Sequence, residues 1–292
     1  MKNSPFHQFV AAFTVTLTGF SSAALTDNFD TYPNGGTGWA AGWVESETNG
    51  TPAGNARVDG SLLTTSPLNG GGSYLSVTTA VQSTTMGIRR NMGSTAASPY
   101  TLTFDWRLDS SMSNFTHYND RIHIGATSGT GAADFGSNLS FAWLIGVVGA
   151  DDTANSNPFN DGEWYFYNNQ STTANGAFNT NNMTMTGIQL AQDVIYSFTV
   201  TVDPTAQTYR VIMTDGTATF DSASVVPGGM NFRNQVNAGS TASTLVFGGA
   251  TNSTADQLTW SLDNLNIIPE PSSAFLAALS GLLCFVRRRI VH

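Results

Sequence analysis

The sequence predicts an all-β chain: two stacked antiparallel sheets forming a sandwich or jelly roll, framed by a secretory segment at the start and a short apolar helix at the end. Three observations predict it. Segments that alternate apolar and polar residues recur along the body, turns rich in Gly, Asn and Ser separate them, and no stretch of the body shows the spacing of an amphipathic helix.

Composition bounds the function before any motif is weighed. Hydrophobic residues make up 40 % and aromatics 11 % of the 292 residues, enough apolar surface for a large core and too much for a disordered chain. Between Leu25 and Ile268 there are 7 Arg and no Lys against 19 Asp plus Glu, a balance of 7 − 19 = −12. A field of that sign repels nucleic acid and anionic membrane surfaces and tolerates cations such as calcium.

Residues 1–24 read as a secretory signal. Lys2 precedes a mostly apolar stretch from Phe9 to Phe20, and the small residues Ser22-Ala23-Ala24 follow where signal peptidase cuts, so the mature chain is expected to begin near Leu25. The single cysteine, Cys284, lies near the other end, which leaves the body without a thiol or an internal disulfide.

Within the body, "TLTFDWRL" sets Leu102, Phe104, Trp106 and Leu108 on one face and Thr101, Thr103, Asp105 and Arg107 on the other. "VIYSFTVTV" repeats the pattern, and the turn Asp203-Pro204-Thr205-Ala206 leads into Tyr209, Val211 and Met213 as a hairpin partner. Further strands are predicted in "SYLSVTT", "MGIRRNM", "DRIHIGA", "LSFAWLIGVV", "GEWYFYN", "STLVFGG" and "QLTWSLDNLNI". "LSFAWLIGVV" is apolar on both faces, as a central strand covered on two sides or one lining a curved groove would be. In the last segment the parity of Leu258, Trp260 and Leu262 slips to that of Leu265 and Ile267, which predicts a β-bulge at Asp263-Asn264. Without a fixed repeat or linker, residues 25–268 read as one domain.

The C-terminal segment, 269–292, holds the most specific motif. Ser272 to Val286 are fifteen residues without a charge, about 22 Å as a helix, short of the roughly 30 Å hydrocarbon core. Arg287, Arg288 and Arg289 keep that end cytoplasmic and place the body across the membrane. Pro269, Glu270 and Pro271 stop the helix from starting earlier. Tripeptide, apolar run and Arg cluster together resemble the PEP-CTERM sorting signal of Gram-negative bacteria. The resemblance implies that an exosortase removes the tail and that the protein is then released or held at the cell surface. A permanent membrane anchor is the alternative.

The last segment, taken with the opening "LTDNFDTYP", is similar to concanavalin A-like (laminin G-like) sandwiches, which implies that the first and last strands pair and close the domain. It also implies a calcium site where Asp27, Asp30 and Asp263 come together. A second candidate is the oxygen-rich loop holding Asp151, Asp152, Asn155, Asn157, Asn160, Asp161 and Glu163. That loop is not an EF-hand, since Ala154 and Asn157 stand where an oxygen ligand and a glycine are required.

No catalytic residue is assigned. A retaining glycosidase on such a sandwich needs two carboxylates about 5 Å apart, and the body holds three glutamates, with Glu45-Ser46-Glu47 reading as loop. His117 and His123, with Asp120, make a weak metal set and read as surface histidines. Sugar binding suits the surface, through Trp39 and Trp43 in "GGTGWAAGW" and Trp164-Tyr165 beside the acidic loop. The expectation is an exported, non-catalytic surface or matrix protein that binds polysaccharide. The alternatives are a polysaccharide-degrading hydrolase or lyase and a purely structural envelope component; burial of the tryptophans favours the last.

Overall fold

The computed structural model describes residues 24–30, 42–47, 58–63, 66–68, 71–79, 86–117, 120–127, 141–149, 162–169, 182–233, 242–251 and 257–270. They belong to one compact unit, Ser22–Glu270. Sixteen strands occur among them. The first eight are β1 (Leu25–Asp27), β2 (Trp43–Glu47), β3 (Val58–Leu63), β4 (Tyr74–Thr79), β5 (Met86–Asn91), β6 (Tyr100–Leu108), β7 (Arg121–Thr127) and β8 (Phe141–Val148). The rest are β9 (Glu163–Tyr167), β10 (Met183–Gln189), β11 (Ile195–Asp203), β12 (Thr208–Thr214), β13 (Thr219–Asp221), β14 (Met230–Asn231), β15 (Thr244–Ala250) and β16 (Thr259–Pro269).

These strands form two antiparallel sheets, as the alternation predicts. One has nine strands, ordered β13-β12-β11-β6-β16-β4-β3 with β1 beside β16 and β14 beside β12; the other has seven, ordered β10-β9-β8-β7-β15-β5-β2. β6 and β11 bury the apolar side of each alternating run, and β8 is buried along its whole length. Between the sheets aromatic rings interlock. Phe104 stacks on Phe198 at 4.8 Å and meets Phe247 edge-on at 5.1 Å, while Trp106 meets Trp164 edge-on at 5.5 Å. Each such pair adds about 1 kcal/mol beyond the area it buries.

The hairpin turn forms where it is expected. Asp203 Oδ1 accepts from the N–H groups of Thr205 and Ala206, both at 2.9 Å, and brings Thr208 opposite Asp203. The bulge forms too: the β16 to β6 register shifts between Asp263 and Asn266, with Asn264 at φ 55°. β1 pairs with β16 from Leu25 opposite Ile267 to Asp27 opposite Leu265, closing the domain as the sandwich resemblance implies.

Two readings change. Glu45-Ser46-Glu47 lies in strand β2 at a sheet edge, paired with β5, not in a loop. Strands β3 and β10 escape the sequence pattern because Gly60 and Gly187 interrupt short polar runs. Among the described residues no helix is long and apolar enough to cross a membrane, and the expected signal segment and apolar tail lie outside those residues. Of the expected sorting tripeptide, Pro269 ends β16 opposite Tyr100, and the Glu270 N–H donates to the Pro99 carbonyl at 2.8 Å.

Candidate functional site on the outer face of the seven-stranded sheet

Strand alternation splits the seven-stranded sheet into two chemistries. Ile122, Ile124 and Ala126 of β7, Trp143, Ile145 and Val147 of β8, and Trp164 and Phe166 of β9 turn into the main core. The opposite parity turns outward, and the register puts Gly248, His123, Gly146 and Tyr165 in one row across four strands. Arg121 sits one row over, between Ala250 and Val148, and Tyr167 two residues beyond Tyr165.

Glycine makes this row possible. A Cβ on Gly146 would stand 2.4 Å from the Tyr165 hydroxyl oxygen, so the bare position lets the phenol lie across β8 toward His123. A Cβ on Gly125 would meet the Phe141 ring at 2.6 Å, and that ring stands edge-on to the imidazole with centroids 6.0 Å apart. Apolar neighbours fill in around them, Leu144 and Val246 with Phe141 and Tyr167, and Val148 with Tyr165.

Arg233 enters from the segment after β14. Its backbone N–H donates to the Ala142 carbonyl at 2.8 Å, and its guanidinium lies over the Tyr167 ring, 5.0 Å from the centroid. Nearby, the Asn168 side-chain oxygen accepts from the Asn231 N–H at 2.9 Å and the Asn169 amide donates to the Arg233 carbonyl at 3.0 Å, which fixes that segment against β9.

The cluster is closed to solvent: His123 is 1 % and Arg233 3 % exposed, whereas Arg121 is half-buried. Burial pushes the His123 imidazole well below its ordinary value, and the charges of Arg121 and Arg233 push the same way, so His123 is neutral at pH 7. Among the described residues its Nδ1 has no hydrogen-bond partner. Burial lowers the Arg233 guanidinium to about 10, still charged at neutral pH, and raises the Tyr165 phenol.

The aromatic residues expected to bind sugar do not lie open. Trp43 is 4 % exposed, packs against Phe247 at 6.0 Å and donates Nε1–H to Asp27 Oδ2 at 2.9 Å. Trp164 is 0 % exposed between Trp106 and Tyr196, and Tyr165 lies buried in the outward row. Period-two alternation explains it, since neighbours in a strand between two packed layers are both covered. Trp39 lies outside the described residues.

The first calcium set does not come together as a group of three either, although, on top of burial, the Asp30 carboxylate lies close enough to Asp263 to push its pKa up. Asp27 turns inward, where it pairs with Arg90 and accepts from Trp43, while Asp263 accepts from the Ser66 hydroxyl at 3.0 Å and the Asn264 N–H at 2.7 Å. Asp30 accepts from the Ser73 N–H at 2.7 Å. The β1 to β16 register explains the split, because Asp27 stands opposite Leu265 while the bulge at Asp263-Asn264 reverses the parity before it. Among the described residues no group of three or more His, Cys, Asp or Glu side chains is placed to hold a metal, which includes His117, Asp120 and His123. The Asp120 carboxylate accepts instead from the Thr116 and His117 N–H groups at 2.8 and 2.6 Å. His123, read as a surface histidine, is buried. Of the second calcium loop, Asp151, Asp152, Asn155, Asn157, Asn160 and Asp161 lie outside the described residues, and Glu163 Oε1 accepts from the Gly187 N–H.

Arg121 and His123 are legible in "DRIHIGA" as a polar parity on a strand. Arg233 and Tyr167 carry no such signal. Arg233 follows a two-residue strand, and Tyr167 reads like any buried aromatic of β9.

No family model matches the chain, and no curated protein matches it. Among solved structures it is similar to lectin II from Ulex europaeus, at 8 % identity over 85 % of this chain and 98 % of that one, with a TM-score of 0.49. It is similar also to the catalytic domain of a glycoside hydrolase family 131 protein from Coprinopsis cinerea, at 13 % identity over 81 % and 85 %, with a TM-score of 0.43. A sialidase aligns at 10 % identity over 85 % of this chain, with a TM-score of 0.49, and the chain spans only 19 % of it.

Proposed function

We propose that this chain is an exported, non-catalytic surface protein, sorted through Pro269, Glu270, Pro271, the apolar run and Arg287 to Arg289, whose sandwich binds polysaccharide. One observation supports a role for this sheet beyond packing. Arg121, His123, Tyr165 and Arg233 converge on the side of the sheet turned away from the main core, where folding alone would be served by apolar side chains. The order of tripeptide, apolar run and basic end supports the sorting role, with signal peptidase and an exosortase as processing partners.

Mass spectrometry of the protein from its native host, with cell envelope and medium analysed separately, tests the sorting half. A mature chain from near Leu25 to near Pro269 is the expected result; an intact end retaining Arg287 to Arg289 leaves a membrane-tethered sandwich instead. The burial of Trp43 and Trp164 favours a second reading, an envelope component that binds no glycan. Retention of the protein on the host's own exopolysaccharide decides between the two.

A further inference from the structure

The body between Leu25 and Ile268 holds no cysteine, so its oxidisable sulfurs are methionine thioethers. Their settings differ. Met92, Met213 and Met230 are buried in the main core, whereas Met183 and Met185 are half-buried on β10, the strand that ends the seven-stranded sheet. In "MTMTGIQ" alternation puts both thioethers on one face and Thr184 and Thr186 on the other. The register sets Met183 opposite Tyr167 and Met185 opposite Tyr165, so the thioethers join the outward row of tyrosines. Side chains placed directly opposite stand about 5 Å apart, the separation at which a thioether and an aromatic ring attract.

Two apolar clusters lie on this face, Phe141, Leu144, Tyr167 and Val246 in one and Val148 with Tyr165 in the other. Met183 packs against both, and Met185 against the second. An unbranched thioether suits that place, because it fills an irregular gap between two separate groups. Among the described residues β10 pairs on one side only, and its pairing with β9 breaks between Met185 and Gln189, where exposed Gly187 stands at φ 75°. Solvent therefore reaches the two sulfurs without any opening of the main core.

We propose that Met183 and Met185 form a site of reversible oxidation by peroxide, at which sulfoxide formation unfastens β10 from the outer face of the seven-stranded sheet. A lone pair on Sδ attacks one peroxide oxygen; the O–O bond breaks as the S–O bond forms, and the proton of the transferred oxygen leaves with the departing hydroxide as water. The thioether is oxidised and the peroxide reduced, with no other reactant. The product sets a polar S=O where an apolar group joined the two clusters, which disfavours the packed arrangement. This holds whether or not the sandwich binds a glycan.

Hydrogen peroxide treatment of the folded full chain in mild detergent tests it, read by peptide mass spectrometry and urea denaturation. Met183 and Met185 are expected to gain oxygen before Met92, Met213 and Met230. The folding equilibrium constant is expected to fall about tenfold, and methionine sulfoxide reductases with a dithiol to restore it. The comparison is Met183→Leu with Met185→Leu, a swap of similar volume that keeps the packing and removes the sulfurs. After the same treatment this variant should hold its own urea midpoint, although Met112, half-buried elsewhere, still oxidises. Sulfoxide at Met112 with β10 left reduced overturns the site. An oxidised wild type with an unchanged midpoint overturns the unfastening, as does a fall in the double variant equal to that in the wild type.

Discussion

Asp263 lies buried beside Asp30 and Asp105, and burial together with those two carboxylates lifts its pKa to about 6. The folded chain therefore keeps this proton across a window, from about pH 4 to about pH 6, in which the unfolded chain has released it. The stabilisation is full below the window and is lost as pH rises through it. His123 works in the opposite direction, because its lowered value means that stability is lost as pH falls below the ordinary imidazole value of about 6.5. We expect Asp263→Asn, which keeps an acceptor for the Asn264 N–H, to remove the decline of Tm with rising pH that the carboxyl causes and to leave the acid-side loss from His123 in place. Calorimetric melting from pH 3 to pH 8 checks it. A wild type and variant whose Tm curves run parallel through pH 4 to 6 contradict the assignment.

The bulge in β16 is the element on which the first sheet turns. Before it, Thr259 to Leu262 pair with β4; after it, Leu265 to Ile267 pair with β1, while β6 follows the other edge throughout. Asn264 sits at φ 55° and donates Nδ2–H to Asp105 Oδ2 at 2.9 Å. We expect Asn264→Ala to cost about 2 kcal/mol in urea denaturation, and Asn264→Gly to recover the backbone part of that loss but not the hydrogen bond. This irregularity was readable in the parity slip between Leu262 and Leu265, and β6, β8, β11 and β12 were readable from alternation or from unbroken apolar runs. Strand pairing across the sheet was not. Nothing local says that Gly146 stands between His123 and Tyr165, because that row depends on three registers at once, and Trp164 was misjudged as exposed because a single strand does not show that a second layer covers its other side. The same limit hid the partner of Asp27: Arg90 is far along the chain and reaches it only when the two sheets close.

At the scale of the molecule, both ends of the sandwich leave from one place, since Leu25 stands opposite Ile267. A permuted chain that joins Glu270 to Ala24 through a short Gly/Ser linker and opens at the exposed Gly216-Thr217-Ala218 turn is therefore expected to fold. Circular dichroism should match that of the parent sandwich, and the urea transition should keep its slope; a markedly lower slope shows that the permuted chain buries less surface. The placement of β16 also has a mechanical side. The strand that leads to the Pro269-Glu270-Pro271 segment is an inner one, hydrogen-bonded along both edges, so a pull applied beyond Pro269 shears the ladders to β6, β4 and β1 together instead of peeling a free edge one bond at a time. A sandwich hung by that strand resists drag as a unit.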